Sequence, residues 1–230
     1  MTYTNFLKSI NKTWEKPTYK KEDRIPFIPT EEELNQLIAS TGNTMTTLLQ
    51  FLKETGVRIG EAILLKWLDL NLQQKTANIT PEKGSNPRIL PISDKLINMI
   101  NQMPHNKETI FQTNKDLLRD YYCKQRKHIS ERLQNPRIKA ITFHTFRHWK
   151  ATMEYHKTKD IMHVKYVLGH KGINNTLIYV NIEQALFLSD TDEWITQVSH
   201  NETEELKLIE ANFTLVRAIN ETTAIYKKRK

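Results

Sequence analysis

The spacing of hydrophobic residues changes along the chain and separates helical from extended segments. Between residues 30 and 56 apolar side chains recur every three or four positions, which predicts two amphipathic helices. Thr30 and Glu33 have the spacing of a capping box, in which each side chain bonds the other's backbone N–H. Gly56 fits the end of the second helix, because glycine readily adopts the left-handed conformation found there.

The period then shortens, which indicates strands. A short helix over 60–66 is followed by three short extended segments, at 70–72, 76–79 and 88–92, separated by polar turns. They predict a small antiparallel sheet whose last turn presents Lys83 at its tip. Helical spacing resumes in five further segments, at 95–103, 114–134, 145–156, 160–168 and 175–182.

These elements predict an α+β fold that is mostly helical, with a three-stranded antiparallel sheet. Residues 1–27 are basic and polar without sustained periodicity, so we expect an N-terminal arm or linker. Residues 28–189 form the main domain. Residues 190–230 predict a small appendage in which a strand, a helix and a two-stranded hairpin follow one another.

Composition and charge favour a polyanionic partner. The 230 residues carry 34 Lys and Arg against 26 Asp and Glu, a formal charge of +8. Ten basic residues and three acidic ones lie between Lys115 and Lys150, whereas eight acids and one lysine lie between Glu183 and Glu210. A single cysteine, Cys123, excludes an internal disulfide. With no secretory signal and no membrane-length apolar run, we expect a soluble, intracellular protein without a membrane partner.

Several residues have the chemistry of phosphoryl transfer, although each alone has a simpler interpretation. His144 and Arg147, three apart, share one side of a helix. Tyr179 follows His170 by nine positions, in a helix–turn–helix segment where it could equally be an ordinary buried aromatic residue. Arg58 alone is typical of a surface arginine. His144 and His148 also have zinc-pair spacing, but no third ligand is apparent, so we expect no metal.

Together these residues resemble the tyrosine recombinase (phage integrase) family. The resemblance covers about Phe27 to Ile182. The amino-acid sequence of its motifs, such as HTFRHWKATMEY, is most similar to archaeal integrases. The matching residues lie in the family's order and spacing, namely Arg58, Lys83, His144, Arg147, His170 and Tyr179. Residues 28–189 are thereby identified as a catalytic domain.

The resemblance implies an enzyme that cleaves and rejoins DNA without metal, ATP or another cofactor. Tyr179 is the implied nucleophile, forming a 3′-phosphotyrosine, and Lys83 the implied general acid for the 5′-hydroxyl. Arg58 and Arg147 can grip the phosphate through planar forks, with His144 and His170 assisting. Glu61 is expected to orient Arg58 or its helix. Nearby basic side chains are expected to contact DNA, namely Arg88, Lys139, Lys150 and Lys171.

The implied partner is double-stranded DNA, bound by a homotetramer that joins two duplexes in the cytoplasmic nucleoid. The family usually carries a helical core-binding domain before the catalytic one, and the roughly 27 residues before Thr30 are too few for it. We therefore expect a catalytic domain alone, a naturally shortened protein, or a fragment. Two alternatives stay open: a type IB topoisomerase-like nicking–closing enzyme, and a non-enzymatic DNA-binding integrase remnant.

Overall fold

The computed structural model describes residues 3–12, 14, 25–82, 84–187, 194–220 and 222–229. Within these residues the chain is mainly helical, as its periodicity predicts. The helices of the main domain are α2 (Glu31–Ala39), α3 (Asn43–Thr55), α4 (Ile59–Ile63), α5 (Asp94–Asn101), α6 (Lys115–Arg132), α7 (Phe143–Thr158), α8 (Ile161–Leu168) and α9 (Asn174–Phe187). No helix in the described part of the chain is both long and apolar enough to cross a membrane.

Two capping signals in the sequence determine where α2 begins and where α3 ends, the latter next to the candidate site. At the start of α2, the Thr30 N–H donates to Glu33 Oε2 at 2.9 Å and the Glu33 N–H donates to Thr30 Oγ1 at 3.2 Å, completing the predicted capping box. At the end of α3, Gly56 has φ +64° and its N–H donates to the Leu52 carbonyl. The chain therefore turns sharply there and delivers Arg58 to the start of α4.

The small sheet consists of β1 (Leu70–Asn71), β2 (Thr76–Ile79) and β3 (Arg88–Pro91), antiparallel and in the order β1-β2-β3. Side chains alternate across it, so that Leu90 and Arg88 of β3 face the interior while Ile89 between them is exposed. The turn between β2 and β3 reaches the end of α8, where Ser85 and His170 form a backbone bridge. The sheet thus brings its turn to the C-terminal half of the domain.

The core divides into two clusters that share α7. The larger one packs α2, α3, α5, α6 and the sheet around α7, and its fully buried residues include Phe146. The smaller one joins α7, α8 and α9 through Ala151, Leu168, Tyr179 and Ile182. Because Tyr179 belongs to this second cluster, packing rather than a loop fixes where its ring lies.

The C-terminal segment forms the predicted strand–helix–strand–strand unit. Its elements are β4 (Trp194–Ser199), α10 (Glu202–Glu210), β5 (Thr214–Ala218) and β6 (Ala224–Arg229). All pairs are antiparallel and β6 lies in the centre, in the order β4-β6-β5. Helix α10 packs against β4, and Tyr226, buried on the central strand β6, donates a hydrogen bond from its hydroxyl to Glu205 of α10.

The expectation of an N-terminal arm without periodic structure is partly wrong. Residues Tyr3–Ser9 form a short helix, α1. Tyr3, Phe6, Leu7 and Ile10 have the i, i+3, i+4, i+7 spacing of an apolar helical stripe. The pattern spans only two turns and is followed by polar residues, so it does not stand out in a longer window. Trp14 lies edge-on to Tyr3, with ring centroids 5.3 Å apart.

Candidate active site

Tyr179 lies on α9 with its ring in the smaller core cluster and only 2% of its surface exposed. Its hydroxyl oxygen lies 3.1 Å from Nδ1 of His148, on the facing side of α7. Burial raises the pKa of Tyr179 to about 12, although the positive charges of Arg147 and Arg58 act in the opposite direction. The hydroxyl is therefore protonated at neutral pH and faces the arginines predicted to share its site.

Arg147 is the largest fully buried side chain of the described residues, with 1% of its surface exposed. Its Nη1 donates to the Gly56 carbonyl at 2.9 Å and its Nη2 to the Leu168 carbonyl at 2.7 Å. These carbonyls belong to the ends of α3 and α8, so one guanidinium joins three helices. A guanidinium has five N–H donors, and these two bonds leave donors for a phosphate.

Arg58 precedes α4 and is more accessible, with 28% of its side chain exposed. Its Nη1 donates to the Ser85 hydroxyl and lies 3.6 Å from Glu61 Oε1. Its backbone N–H donates to Glu61 Oε2 at 2.9 Å, which fixes the start of α4. Glu61 therefore contacts Arg58 through both backbone and side chain, in agreement with the orienting role expected of it.

Arg88 does not lie where the sequence interpretation put it. It was expected to contact DNA, but its side chain is completely buried and pairs with Glu61, with Nη2 2.7 Å from Oε2. Its Nε also donates to the Val167 carbonyl at 2.8 Å. The correction follows from strand alternation, since Arg88 shares the inward face of β3 with Leu90. Burial raises the pKa of Glu61, but hydrogen bonds from Arg88 and from the Arg58 backbone outweigh it and the net pKa is lowered.

His170 follows the turn that ends α8. Gly169 has φ +67°, and a Cβ there would lie 2.6 Å from the Arg88 guanidinium and 2.9 Å from the Asn86 carbonyl oxygen, so the turn needs glycine. The His170 side chain is buried and its Nδ1 lies 2.9 Å from Thr176 Oγ1. This leaves Nε2 as the ring atom free to meet a phosphate oxygen.

His144 begins α7 beside the same charges. It is exposed, and its ring lies edge-on to that of His148, with centroids 4.6 Å apart. Although the residue is exposed overall, partial desolvation of its imidazole and the positive charges of Arg147 and Arg58 lower the pKa of His144. The structure therefore brings Arg58, His144, Arg147, His170 and Tyr179 into one electrostatic neighbourhood from four separate parts of the chain.

The remaining residues predicted from the sequence, Lys83 and three lysines expected to contact DNA, differ in how exposed they are and in whether the structure describes them. Lys83 lies outside the described residues, so its role as general acid stays a prediction. Lys139 and Lys171 are exposed, as DNA contacts require. Lys150 is partly buried and pairs with Glu154, with 2.6 Å between Nζ and Oε2.

The sequence did not predict the roles that three residues have in this neighbourhood. Ser85 and Arg88 hold Arg58 and Glu61, and His148 contacts the Tyr179 hydroxyl. His148 was considered only as a partner of His144 in a zinc pair. Its place one turn after His144, in HTFRH, was the available signal, because residues four apart share a helix face.

Two histidines of the site, the buried His170 and the partly buried His148, make stability depend on pH. Burial, together with the charges of Arg147 and Arg58, lowers the pKa of His170 to about 4, and burial with His144 and Arg147 nearby lowers that of His148 to about 4. Between pH 4 and their ordinary value of 6.5 the unfolded chain binds more protons than the folded one. Stability therefore rises with pH across this window and is lost as pH falls.

We expect the free energy of unfolding in urea to fall by on the order of 2 kcal/mol between about pH 7 and about pH 5. The glutamates with lowered pKa, such as Glu61, begin to destabilise the fold only as pH falls below their ordinary value of 4.5. His148→Asn removes one of the two histidines and should weaken the dependence. A free energy that stays constant over this range would contradict the neutral state of both rings.

Comparison with known proteins agrees with this arrangement. Residues 29–185 match the Phage integrase family. The tyrosine recombinase XerD of Oceanobacillus iheyensis is 28% identical over 186 residues, which cover 73% of this chain and 62% of that protein. The tyrosine recombinase XerA of Pyrococcus horikoshii is 25% identical over 171 residues, covering 69% of this chain and 58% of that protein.

Solved structures give the same result for the fold. The XerH site-specific recombinase bound to palindromic difH substrate, in a post-cleavage complex, has a TM-score of 0.58 at 25% identity, covering 73% of this chain and 53% of that one. A crystal structure of XerA recombinase has a TM-score of 0.59 at 22% identity, covering 82% of this chain and 72% of that one.

The family match covers more than half of the chain, and the chain belongs to the Phage integrase family. Its helical domain with a small antiparallel sheet is the fold of the recombinases to which it is similar. The chain spans about three fifths of the length of the first curated relatives that it matches, 62% of one and 60% of another.

Proposed function

We propose that this protein is a site-specific DNA recombinase that cleaves and rejoins DNA through a phosphotyrosine at Tyr179. The observation that carries the proposal is the placement of the buried Tyr179 hydroxyl within reach of the charges of Arg58 and Arg147, which act on its pKa. A tyrosine with an ordinary packing role needs no such charges. A phosphodiester anion would be held between these arginines and meet the hydroxyl.

In this reaction Tyr179 Oη forms a bond to the scissile phosphorus while the bond to the 5′-oxygen breaks. The tyrosine loses its proton, and the departing 5′-oxygen gains one from Lys83, the proposed general acid. Arg58 and Arg147 neutralise the charge that develops on the non-bridging oxygens. His170 and His144 would hydrogen-bond the same oxygens. Rejoining is the reverse reaction. The phosphotyrosine bond conserves the energy of the cleaved phosphodiester, so rejoining needs no ATP.

The proposed partner is double-stranded DNA, with four copies of the protein acting on two duplexes in the cytoplasmic nucleoid. Support comes from related structures: XerH is bound to its difH substrate, and a λ integrase dimer is bound to a core site. On this chain Lys139 and Lys171 are exposed, and Lys139 lies in the segment between Lys115 and Lys150 in which basic residues outnumber acidic ones. Such a surface would bind the phosphate backbone.

The proposal is tested on a pool of short nicked duplexes with randomised sequence around the nick, at low salt. Cleavage next to a nick releases a short fragment, so the reverse reaction fails and the covalent complex accumulates. We expect a denaturation-resistant protein–DNA adduct. Binding in a gel shift with no adduct would favour the integrase remnant. The duplexes that form adduct are then tested in pairs for strand exchange. Exchange of strands between two duplexes indicates a recombinase, whereas a topoisomerase-like enzyme would only rejoin the strand it cleaved.

We further propose that Tyr179 acts in cis. It attacks DNA that is held by the arginines of its own chain. Support comes from two contacts that hold α9 against α7, one turn apart on α9. The Tyr179 hydroxyl meets His148, and the buried Glu183 carboxylate meets His156 Nδ1 at 2.7 Å and the Lys159 ammonium. Moving Tyr179 to another subunit would break both contacts.

A mixture of Tyr179→Phe and Arg58→Lys proteins measures this directly. With cis attack no subunit has a complete site, so the mixture should give no more adduct than either variant alone. As the control, wild type mixed with Tyr179→Phe should give adduct in proportion to its wild-type content. Adduct well above the single variants in the first mixture would show that Tyr179 is delivered in trans.

A further inference from the structure

Among the described residues, the Tyr179 hydroxyl has one hydrogen-bond partner, His148. The 3.1 Å between Oη and Nδ1 is a normal hydrogen-bond length, and the two rings are tilted by 50° with centroids 5.9 Å apart. Both residues are held by regular structure, His148 on α7 and Tyr179 on α9. The contact is therefore set by helix packing and does not depend on a mobile loop.

The protonation states give this hydrogen bond its direction. Burial raises the pKa of Tyr179 to about 12, so the oxygen carries its proton. Burial, with His144 and Arg147 nearby, lowers the pKa of His148 to about 4, so the ring is neutral. A buried hydroxyl is most stable when its proton is bonded, and the tyrosine therefore donates to an unprotonated Nδ1.

The other two histidines of the site are engaged differently. His170 directs its Nδ1 to Thr176 at 2.9 Å. His144 is exposed at the start of α7 and lies against His148, without a recorded hydrogen bond to the tyrosine. Of the three, His148 alone contacts the atom that must lose a proton when the nucleophile attacks.

We propose that His148 is a catalytic residue, which accepts the Tyr179 proton during cleavage and returns it during rejoining. As the bond from Oη to phosphorus forms, the O–H electron pair moves into it and the proton passes to Nδ1, giving an imidazolium. The 5′-oxygen leaves with a proton from the general acid on the other side, so charge is balanced. This proposal rests on the proposed function, since it takes Tyr179 as the nucleophile.

The incoming phosphate makes the transfer feasible. In the free protein an acceptor with pKa about 4 is a weak base for a hydroxyl with pKa about 12. A bound phosphodiester brings negative charge next to His148, which stabilises the imidazolium and raises its proton affinity. The proton is therefore held by the tyrosine until DNA is in place, and premature ionisation of the nucleophile is avoided.

The test uses single-turnover adduct formation on the randomised nicked duplexes, made with sulfur in place of the scissile 5′-oxygen. A thiolate leaves without a proton, so this substrate bypasses the general acid and reports on the nucleophile. We expect His148→Asn to react ~10²-fold more slowly than wild type, because an amide oxygen accepts the hydrogen bond but not the proton. His148→Phe should be at least as slow. Free imidazole should restore part of the rate of His148→Ala.

The matched control is His163→Asn, which changes a histidine of α8 whose Nε2 lies 2.9 Å from Glu154 Oε1. It should keep the wild-type rate. A wild-type rate for His148→Asn would overturn the proton transfer, whatever His148→Phe does. If the wild type itself forms no adduct, the proposed function fails, and the proton transfer fails with it.

The contact can also be measured without DNA. In protein with ¹³C at the tyrosine Cζ, the Tyr179 signal is assigned by its loss in Tyr179→Phe. We expect this signal to shift in His148→Asn and in His148→Phe but not in His163→Asn. A signal that stays in place in both His148 variants would overturn the hydrogen bond, independently of any result with DNA.

Discussion

Tyr179→Phe is expected to abolish the protein–DNA adduct while leaving the fold and DNA binding intact. Phenylalanine keeps the ring that packs with Ala151, Leu168 and Ile182, so the smaller core cluster is preserved. Only the hydroxyl and its bond to His148 are lost, which should change the free energy of unfolding by about 1 kcal/mol. Without a nucleophile, adduct formation should fall by at least ~10⁴-fold.

The matched control for this result is the Tyr166→Phe variant. Tyr166 is an exposed tyrosine of α8 whose hydroxyl donates to the Ile89 carbonyl at 3.0 Å. It should form adduct at the wild-type rate. If Tyr179→Phe still formed adduct on the nicked duplexes, another residue would be the nucleophile.

Arg147→Lys is expected to damage both stability and catalysis, although it keeps the charge. One guanidinium bonds the Gly56 and Leu168 carbonyls and so joins α3 and α8 to α7. A lysine ammonium cannot span both in this geometry, and at least one buried carbonyl loses its donor. We expect a loss of about 2–3 kcal/mol in the free energy of urea unfolding. Adduct formation should fall by ~10³-fold, because the phosphate loses one planar clamp.

Arg58→Lys separates the two effects. Arg58 has 28% of its side chain exposed, and Glu61 keeps its buried partner Arg88 when Arg58 is changed. We therefore expect a similar loss of adduct formation with a change in unfolding free energy of about 1 kcal/mol or less. Equal destabilisation by the two substitutions would contradict the structural role assigned to Arg147. Full adduct formation by either would contradict the arginine clamp.

Local signals in the sequence predicted most of the elements correctly. The capping box of Thr30 and Glu33, the Gly56 helix end and the three strands of the sheet all lie close to their predicted positions. These features depend on residues a few positions apart, so the chain carries them without reference to the rest of the fold. The strand–helix–strand–strand order of the C-terminal unit was predictable for the same reason.

The errors concern contacts between distant segments or very short ones. Arg88 was taken for a DNA contact because it is basic, whereas strand alternation turns it inward, where it pairs with Glu61, 27 residues away. His148 meets Tyr179 only because α7 packs on α9. Neither contact follows from spacing within one element. The two-turn helix α1 was missed because its apolar stripe is too short to rise above its polar surroundings.

The most direct test of the central claim is to identify the bond between protein and DNA. Wild-type protein is incubated with nicked duplexes labelled at either side of the nick, and the adduct is digested and sequenced by mass spectrometry. The proposed mechanism predicts a single modified peptide, with the 3′-phosphate of the cleaved strand on Tyr179. A nucleotide attached to any other residue, or attached through its 5′ end, would contradict it.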